Sequence, residues 1–260
     1  MTATYVYCVV ASARPPRLAG VPRGLPGMEP PRLLAIGDGL FVVVASAPLK
    51  EYGEAAINRR LGDLDWVSAS AVSHEAVVEH FVDADAVLPT KLFTIFTDDD
   101  RVVAHMRGER VRLAATAKRV AKHQEWGVRV RLDRAAATAA AERRVARARR
   151  PSSSAGSGAA YLSHKKAQRD VSLELSTRAR ETVARLYDRF AAKARLARRR
   201  AATELPAQGG SLLLDAAFLV ARSRVRAFRA LAAREARALA PDGYTVELTG
   251  PWPPYTFVQD

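Results

Sequence analysis

Ser73-His74-Glu75-Ala76-Val77-Val78-Glu79, then Ala86-Val87-Leu88-Pro89, then Thr94 on through Asp98-Asp99-Asp100, is the stretch on which the fold turns. Its first part sets Val72, Ala76, Val77 and Phe81 near helical spacing, so residues 65–83 read as a helix. Its second part, residues 86–96, is a strand-like run broken by Pro89. Proline has no N–H to give a sheet, which confines it to an edge or a bulge. Its third part opens a helix, because three carboxylates in a first turn meet the positive end of the helix dipole. That pattern runs to about Lys122.

The flanks continue this mixed order. Upstream, Tyr5-Val6-Tyr7-Cys8-Val9-Val10 is β-branched and aromatic, the composition of a strand. Pro15, Pro16, Pro22, Pro26, Pro30 and Pro31 then make a loop that cannot hold a helix. Residues 33–36 and 40–46 read as strands joined across Gly37-Asp38-Gly39, a hairpin signal. Pro48 suits the first turn of a helix reaching about Arg60.

Downstream, Trp126, Val128, Val130 and Leu132 alternate with Gly127, Arg129 and Arg131, a half-buried strand. Residues 135–150 are Ala/Arg-rich and favour helix. Residues 151–158, Pro-Ser-Ser-Ser-Ala-Gly-Ser-Gly, have the composition of a flexible loop. A long helix is expected from residue 159 to about 202, with Leu175, Ala179, Val183, Leu186, Phe190, Ala194 and Ala197 in one apolar stripe. Residues 212–221 read as a buried strand and 244–248 as a last strand. Between them, 223–239 read as a helix with Val225, Phe228, Ala232, Ala236 and Leu239 inward. The class is α+β, with a division near residue 133 into an N-terminal domain, 1–133, and a C-terminal domain, 134–260.

The 260 residues carry 41 Lys+Arg against 27 Asp+Glu, a net charge of +14. The excess is regional: residues 134–202 hold 18 basic and 5 acidic side chains, while 1–133 hold 17 and 16, and 203–260 hold 6 and 6. A basic helix at 159–202 admits a nucleic-acid reading through phosphate contacts. Its aromatics are only Tyr161, Tyr187 and Phe190, the last two on or beside the apolar stripe, which leaves no base-stacking platform. A solvated helix face is the more economical reading, so nucleic acid is not the expected partner. No run approaches the length of a membrane span, no secretory signal opens the chain, and the single cysteine, Cys8, fits a reducing compartment. A cytoplasmic protein with no membrane partner is expected.

The chemistry of catalysis is missing. No glycine-rich phosphate loop occurs. His74 and His80 are six apart, not the four that puts two ligands on one helix face. Ser152-Ser153-Ser154 has no base beside it. Cys8 sits in an apolar run and reads as a buried thiol. No catalytic, cofactor-binding or metal-ligating residue is nominated, no cofactor is expected, and the chain is not read as an enzyme.

Taken together, four segments resemble the GvpF/GvpL gas vesicle family. They are the opening strand 5–10, the block from Ser73-His74-Glu75 through Val87-Leu88-Pro89 to Asp100, Glu125-Trp126-Gly127-Val128, and 213–220 with the ending Thr249-Gly250-Pro251-Trp252-Pro253-Pro254-Tyr255-Thr256-Phe257-Val258. They occur in order over nearly the whole chain. Where the family follows its Val-Leu-Pro with a residue and then Arg-Phe-Gly-Thr, this chain has Lys91-Leu92-Phe93-Thr94, so Lys91 stands for arginine and Phe93 for glycine. The resemblance implies a second domain of modified ferredoxin-like fold with long helices, and a role as an accessory factor associated with gas vesicles. It implies contact with the small hydrophobic shell subunit during nucleation or growth, and with other accessory proteins. The candidate partner-binding residues are Pro89 and Lys91, Arg185 and Arg189 on the basic helix, and Trp252, Tyr255 and Phe257 of the terminal segment. The last three equally suit a segment pinned to the chain's own core.

Overall fold

The computed structural model describes residues 1–148, 157–200 and 210–258, with side chains at 1–144, 173–200 and 210–258. In chain order the elements are β1 (Thr2–Ala11), β2 (Arg32–Gly37), β3 (Leu40–Pro48), α1 (Leu49–Tyr52), α2 (Glu54–Arg60), α3 (Leu64–His80), β4 (Ala86–Pro89), β5 (Ile95–Phe96), α4 (Asp99–Gly108) and α5 (Arg110–Val120). Then follow β6 (His123–Leu132), α6 (Arg134–Ala148), α7 (Ser157–Ala191), β7 (Leu196–Arg199), β8 (Ser211–Ala221), α8 (Val225–Leu239), β9 (Tyr244–Trp252) and α9 (Tyr255–Val258). The chain is α+β, as its mixed pattern requires. It forms two compact units, residues 1–125 with 251–260, and residues 126–250.

The first unit is built on a sheet in the order β2-β3-β1-β4, with the two-residue β5 also paired to β1. Its pairs are antiparallel. The Gly37-Asp38-Gly39 turn closes β2 onto β3, and all three residues have positive φ. β1 is the central strand, buried on both faces, which is why its sequence is a continuous apolar run. A bulge between Val6 and Cys8 breaks its alternation, so Tyr5, Tyr7, Cys8 and Val10 share one cluster with Val77, Val78 and Phe81 of α3. Cys8 is a free, fully buried thiol, and burial raises its pKa far above the usual range. The proline-rich loop is pinned from inside: the Tyr7 hydroxyl accepts from Leu25 N at 3.2 Å, and the Tyr52 hydroxyl donates to Pro26 O at 2.7 Å. Gly24 is the residue that lets this loop close over Tyr7, since a Cβ there would lie 2.0 Å from the hydroxyl.

Two expected helices are each divided. The run from Pro48 to Arg60 breaks at Gly53, whose extended backbone donates to Leu49 O. The run from Asp99 to about Lys122 breaks at Gly108 and Glu109. Here the sheet order gives the reason: α4 packs on β2 and α5 on β4, at opposite ends, so the chain must turn between them. Asp98 caps α4 by accepting from Arg101 N at 2.8 Å, and that bond holds its carboxyl below the usual range. Asp99 ties the same helix to the sheet through Thr4 Oγ1 and Arg32. In α3 the inward residues are Ser70, His74, Val77 and Val78; Val72, expected inward, is 67% exposed.

The last residues belong to this first unit. Glu125, 2% exposed, accepts from Thr256 N at 2.8 Å and from Thr256 Oγ1 at 2.6 Å. Arg119 Nη2 donates to Phe257 O at 2.9 Å, and α9 packs on β4 and α5. Pro253, Pro254, Phe257 and Val258 are buried.

The second unit holds a sheet in the order β7-β8-β6-β9. Trp126, Val128 and Val130 of β6, with Leu214, Ala216, Phe218 and Val220 of β8, meet Ala179, Val183, Leu186 and Phe190 of α7 and Phe228, Leu231 and Ala232 of α8. Phe190, Phe218 and Phe228 form the centre, with ring centroids 5.2–5.7 Å apart. The expected loop at 151–158 lies outside the described residues except for Ser157 and Gly158, which already begin α7. The helix expected to run to about 202 ends at Ala191. Residues 196–199 instead pair antiparallel with β8, Leu196 opposite Leu219 and Arg199 opposite Ala216. Ala194 and Ala197 still reach the core, from a turn and a strand. Pairing the β8 edge satisfies backbone groups that a continued helix would leave open.

The Glu125–Thr256 clasp gives a direct test. Glu125→Ala should cost the full-length protein about 2–3 kcal/mol in urea unfolding, the scale of buried hydrogen bonds to a charged group, and Thr256→Val, which removes only the hydroxyl bond, should cost less.

Candidate functional site

The first unit carries an open cavity of about 480 Å³, lined by Leu49, Tyr52, Ile57, Phe93, Ile95 and Phe96 among others. α1 and α2 supply one wall. The β4–β5 connection and β5 supply the other. Polar atoms come from Glu54, Asn58 and Thr97. Leu49, at the cavity, is 40% exposed, and Leu61 and Leu64 farther along the chain are 50% and 79% exposed among Arg59, Arg60, Asp63 and Asp65.

One residue of the wall is held in an unfavourable backbone conformation. Phe93 has φ of +62°, in the left-handed region that a side chain with a Cβ occupies at a cost. It stands where the resembling family has glycine. The ring compensates: it stacks on Trp66 with centroids 5.0 Å apart and planes 8° from parallel. Arg60 lies over the Trp66 ring, 4.3 Å from its centroid. Phe93 N also reaches the Tyr5 hydroxyl at 3.4 Å.

Behind the wall lies a buried polar set. The Tyr5 hydroxyl is 2.7 Å from His74 Nδ1. Burial pushes His74 down to about 4 and raises Tyr5, so the pair stays neutral, with Tyr5 donating to the imidazole while it accepts from Phe93. Glu75 and Tyr255 face each other; burial raises both, and the Glu75 carboxylate raises Tyr255 further. These groups brace α3 and the terminal segment against β1. Among the described residues, no three His, Cys, Asp or Glu side chains converge as a metal site.

The residues singled out in the sequence are placed as follows. Pro89 is buried at the end of β4, opposite Cys8. Lys91 is exposed, in the connection that carries Phe93. Arg185 and Arg189 are exposed on α7; Arg185 contacts Thr182, and Arg189 pairs with Glu235 at 3.0 Å. Trp252 is 38% exposed. Tyr255 turns toward Glu75, and Phe257 is 4% exposed. None of these seven lines the cavity; Lys91 belongs to the β4–β5 connection that supplies Phe93 to it. The lining residues carry no motif of their own; the one signal in the sequence is Phe93, which stands at the position the resemblance gives to glycine.

The chain matches the family model described as gas vesicle synthesis protein GvpL/GvpF over residues 3–259. It is 34% identical to a gas vesicle protein L from a Streptomyces strain, over 97% of this chain and 91% of that protein. Its fold is similar to the crystal structure of the gas vesicle protein GvpF from Anabaena, with a TM-score of 0.70 at 16% identity over 100% of this chain and 97% of that one. It is likewise similar to that of GvpF from Microcystis aeruginosa, with a TM-score of 0.68 at 16% identity over the whole of both chains.

Two outcomes check this geometry. Phe93→Ala keeps the strained φ and loses the stacked ring, whereas Phe93→Gly loses the ring but relieves the strain. The glycine variant should therefore be the more stable of the two by about 1 kcal/mol in chemical unfolding. Glu75 has a raised pKa in the folded state, so its contribution to stability is present at acid pH and lost as pH rises through that value. Glu75→Gln should melt above the wild type at neutral pH, with the gap closing as pH falls toward the ordinary carboxylate range.

Proposed function

The chain belongs to the GvpL/GvpF family of gas vesicle synthesis proteins, and from that premise we propose that it is a cytoplasmic, non-enzymatic assembly factor that holds an apolar segment of the gas vesicle shell subunit during nucleation or growth. The observation that carries this reading is the open cavity of the first unit, where Leu49, Ile57, Phe93, Ile95 and Phe96 offer apolar contacts beside the polar Glu54, Asn58 and Thr97. A small hydrophobic subunit that must stay unaggregated before it joins a shell needs such a surface. The strained Phe93 supports the same site, since strain is retained where a wall must keep its shape. Lys91 is exposed in the same connection, two residues before Phe93.

The second unit supports the modified ferredoxin-like reading: β6, a helical segment, β7, β8, α8 and β9 in sequence, with strands in the order β7-β8-β6-β9. Its α7 shows Glu181 and Asp188 at the surface beside Arg180 and Arg185. That mixed face suits protein contacts better than a phosphate backbone, so nucleic-acid binding through this helix is the weaker reading.

Co-purification of the tagged protein with the shell subunit, after nuclease treatment at moderate salt, tests the proposal. The wild type should retain the subunit, and an Ile57→Asp/Phe96→Asp variant that charges both cavity walls should lose at least tenfold of it. Equal retention by the folded variant overturns the cavity assignment. A wild type that releases the subunit but holds nucleic acid before nuclease treatment overturns the assembly reading itself.

A further inference from the structure

The net positive charge of the chain sits in the second unit. Residues 126–250 hold 26 basic and 11 acidic side chains, a net +15, whereas 1–125 with 251–260 hold 15 and 16, a net −1. The long helix α7 is the obvious carrier, but its described surface is mixed, and Arg178 and Arg189 are spent on Asp242 and Glu235. α8 differs. At 100° per residue, Phe228, Leu231, Ala232 and Glu235 fall on its inner side, where all four are buried. The outermost line is Arg226, Ala230, Ala233 and Arg237, flanked by Arg229 on one side and Arg234 on the other, all exposed.

The chemistry of this face is uniform. The one acid of α8, Glu235, is turned inward, 8% exposed, and is held there by Arg189 and Arg234. Among the described residues, no carboxylate lies within ion-pair distance of Arg226, Arg229 or Arg237. Two alanines therefore sit at the middle of a face framed by guanidinium groups. The frame from Arg226 to Arg237 is three helical turns long, about 16 Å. Alanine at the centre lets a partner backbone approach closely, and arginine at the border matches carboxylates bidentately. Stacking groups that would read bases are absent from this face.

We propose that the outer face of α8 docks an acidic amphipathic helix of a protein partner, with its carboxylates on Arg226, Arg229 and Arg237 and its backbone against Ala230 and Ala233. This site is separate from the apolar cavity and does not depend on it. Charge complementarity names the partner class: the face offers cations and methyl groups and nothing else.

The probe is a labelled alanine-based helical peptide of about 20 residues, long enough to hold a helix, with glutamates along one face. It is titrated with the full-length protein by fluorescence anisotropy at about 0.15 M salt, beside the same peptide with glutamine for glutamate and a short DNA duplex. The acidic peptide should bind, the glutamine peptide should not, and Arg226→Glu/Arg237→Glu should weaken binding at least tenfold. Ala230→Gln/Ala233→Gln, which leaves the charge intact but lengthens the central side chains, should weaken it at least threefold. Arg180→Ala/Arg185→Ala on α7 should leave it unchanged. Circular dichroism melting confirms that each variant is folded; the substituted residues are all exposed. Unchanged affinity in either α8 variant overturns the docked helix, as does a duplex bound more tightly than the acidic peptide.

Discussion

Glu125 stands where the chain leaves the first unit, and Thr256 lies just beyond the point where it returns. Between them runs the whole second unit. A carboxylate 2% exposed accepts both the backbone N–H and the hydroxyl of that threonine, and this clasp ties the two ends of the first unit together. A series of contacts leads from it to one wall of the candidate site. The clasped segment forms α9, α9 packs on β4 and α5, β4 pairs with β1, and β1 carries the Tyr5 hydroxyl that meets Phe93 N. A buried charge is tolerable only with such partners.

The two units divide the physical properties of the chain. The first is close to neutral and offers an apolar cavity. The second carries the positive charge, arranged in two ways: α7 mixes acids with bases, and α8 keeps one sign outward by turning its single glutamate in. Under the proposed function that division lets an apolar contact and a charged contact engage different partners.

Much of the architecture was legible in the sequence, because it follows from local periodicity. The continuous apolar run at β1, the alternation at β6 and the three aspartates opening α4 each led to the right element. So did the stripe of Leu186 and Phe190. The errors have tertiary causes. Residues 196–199 have helical composition, and only the exposed edge of β8 makes them a strand. The break at Gly108 follows from which strands α4 and α5 must cover. The four segments resembling the gas vesicle family led to the family itself. The site was less legible. Leu49, Ile57 and Phe96 are ordinary apolar residues far apart in sequence, and only folding brings them to one cavity. Tyr255 and Phe257 read equally as anchors for a partner or for the core, and composition holds nothing that decides between these.

Hydrogen exchange of the full-length protein, with and without the purified shell subunit, most directly tests the claim that the first unit presents the apolar contact. Slowed exchange is expected in residues 49–58 and 93–97 on addition of the subunit, with β1 amides protected equally in both states. Unchanged exchange in both segments, with slowing confined to other parts of the chain, would contradict it.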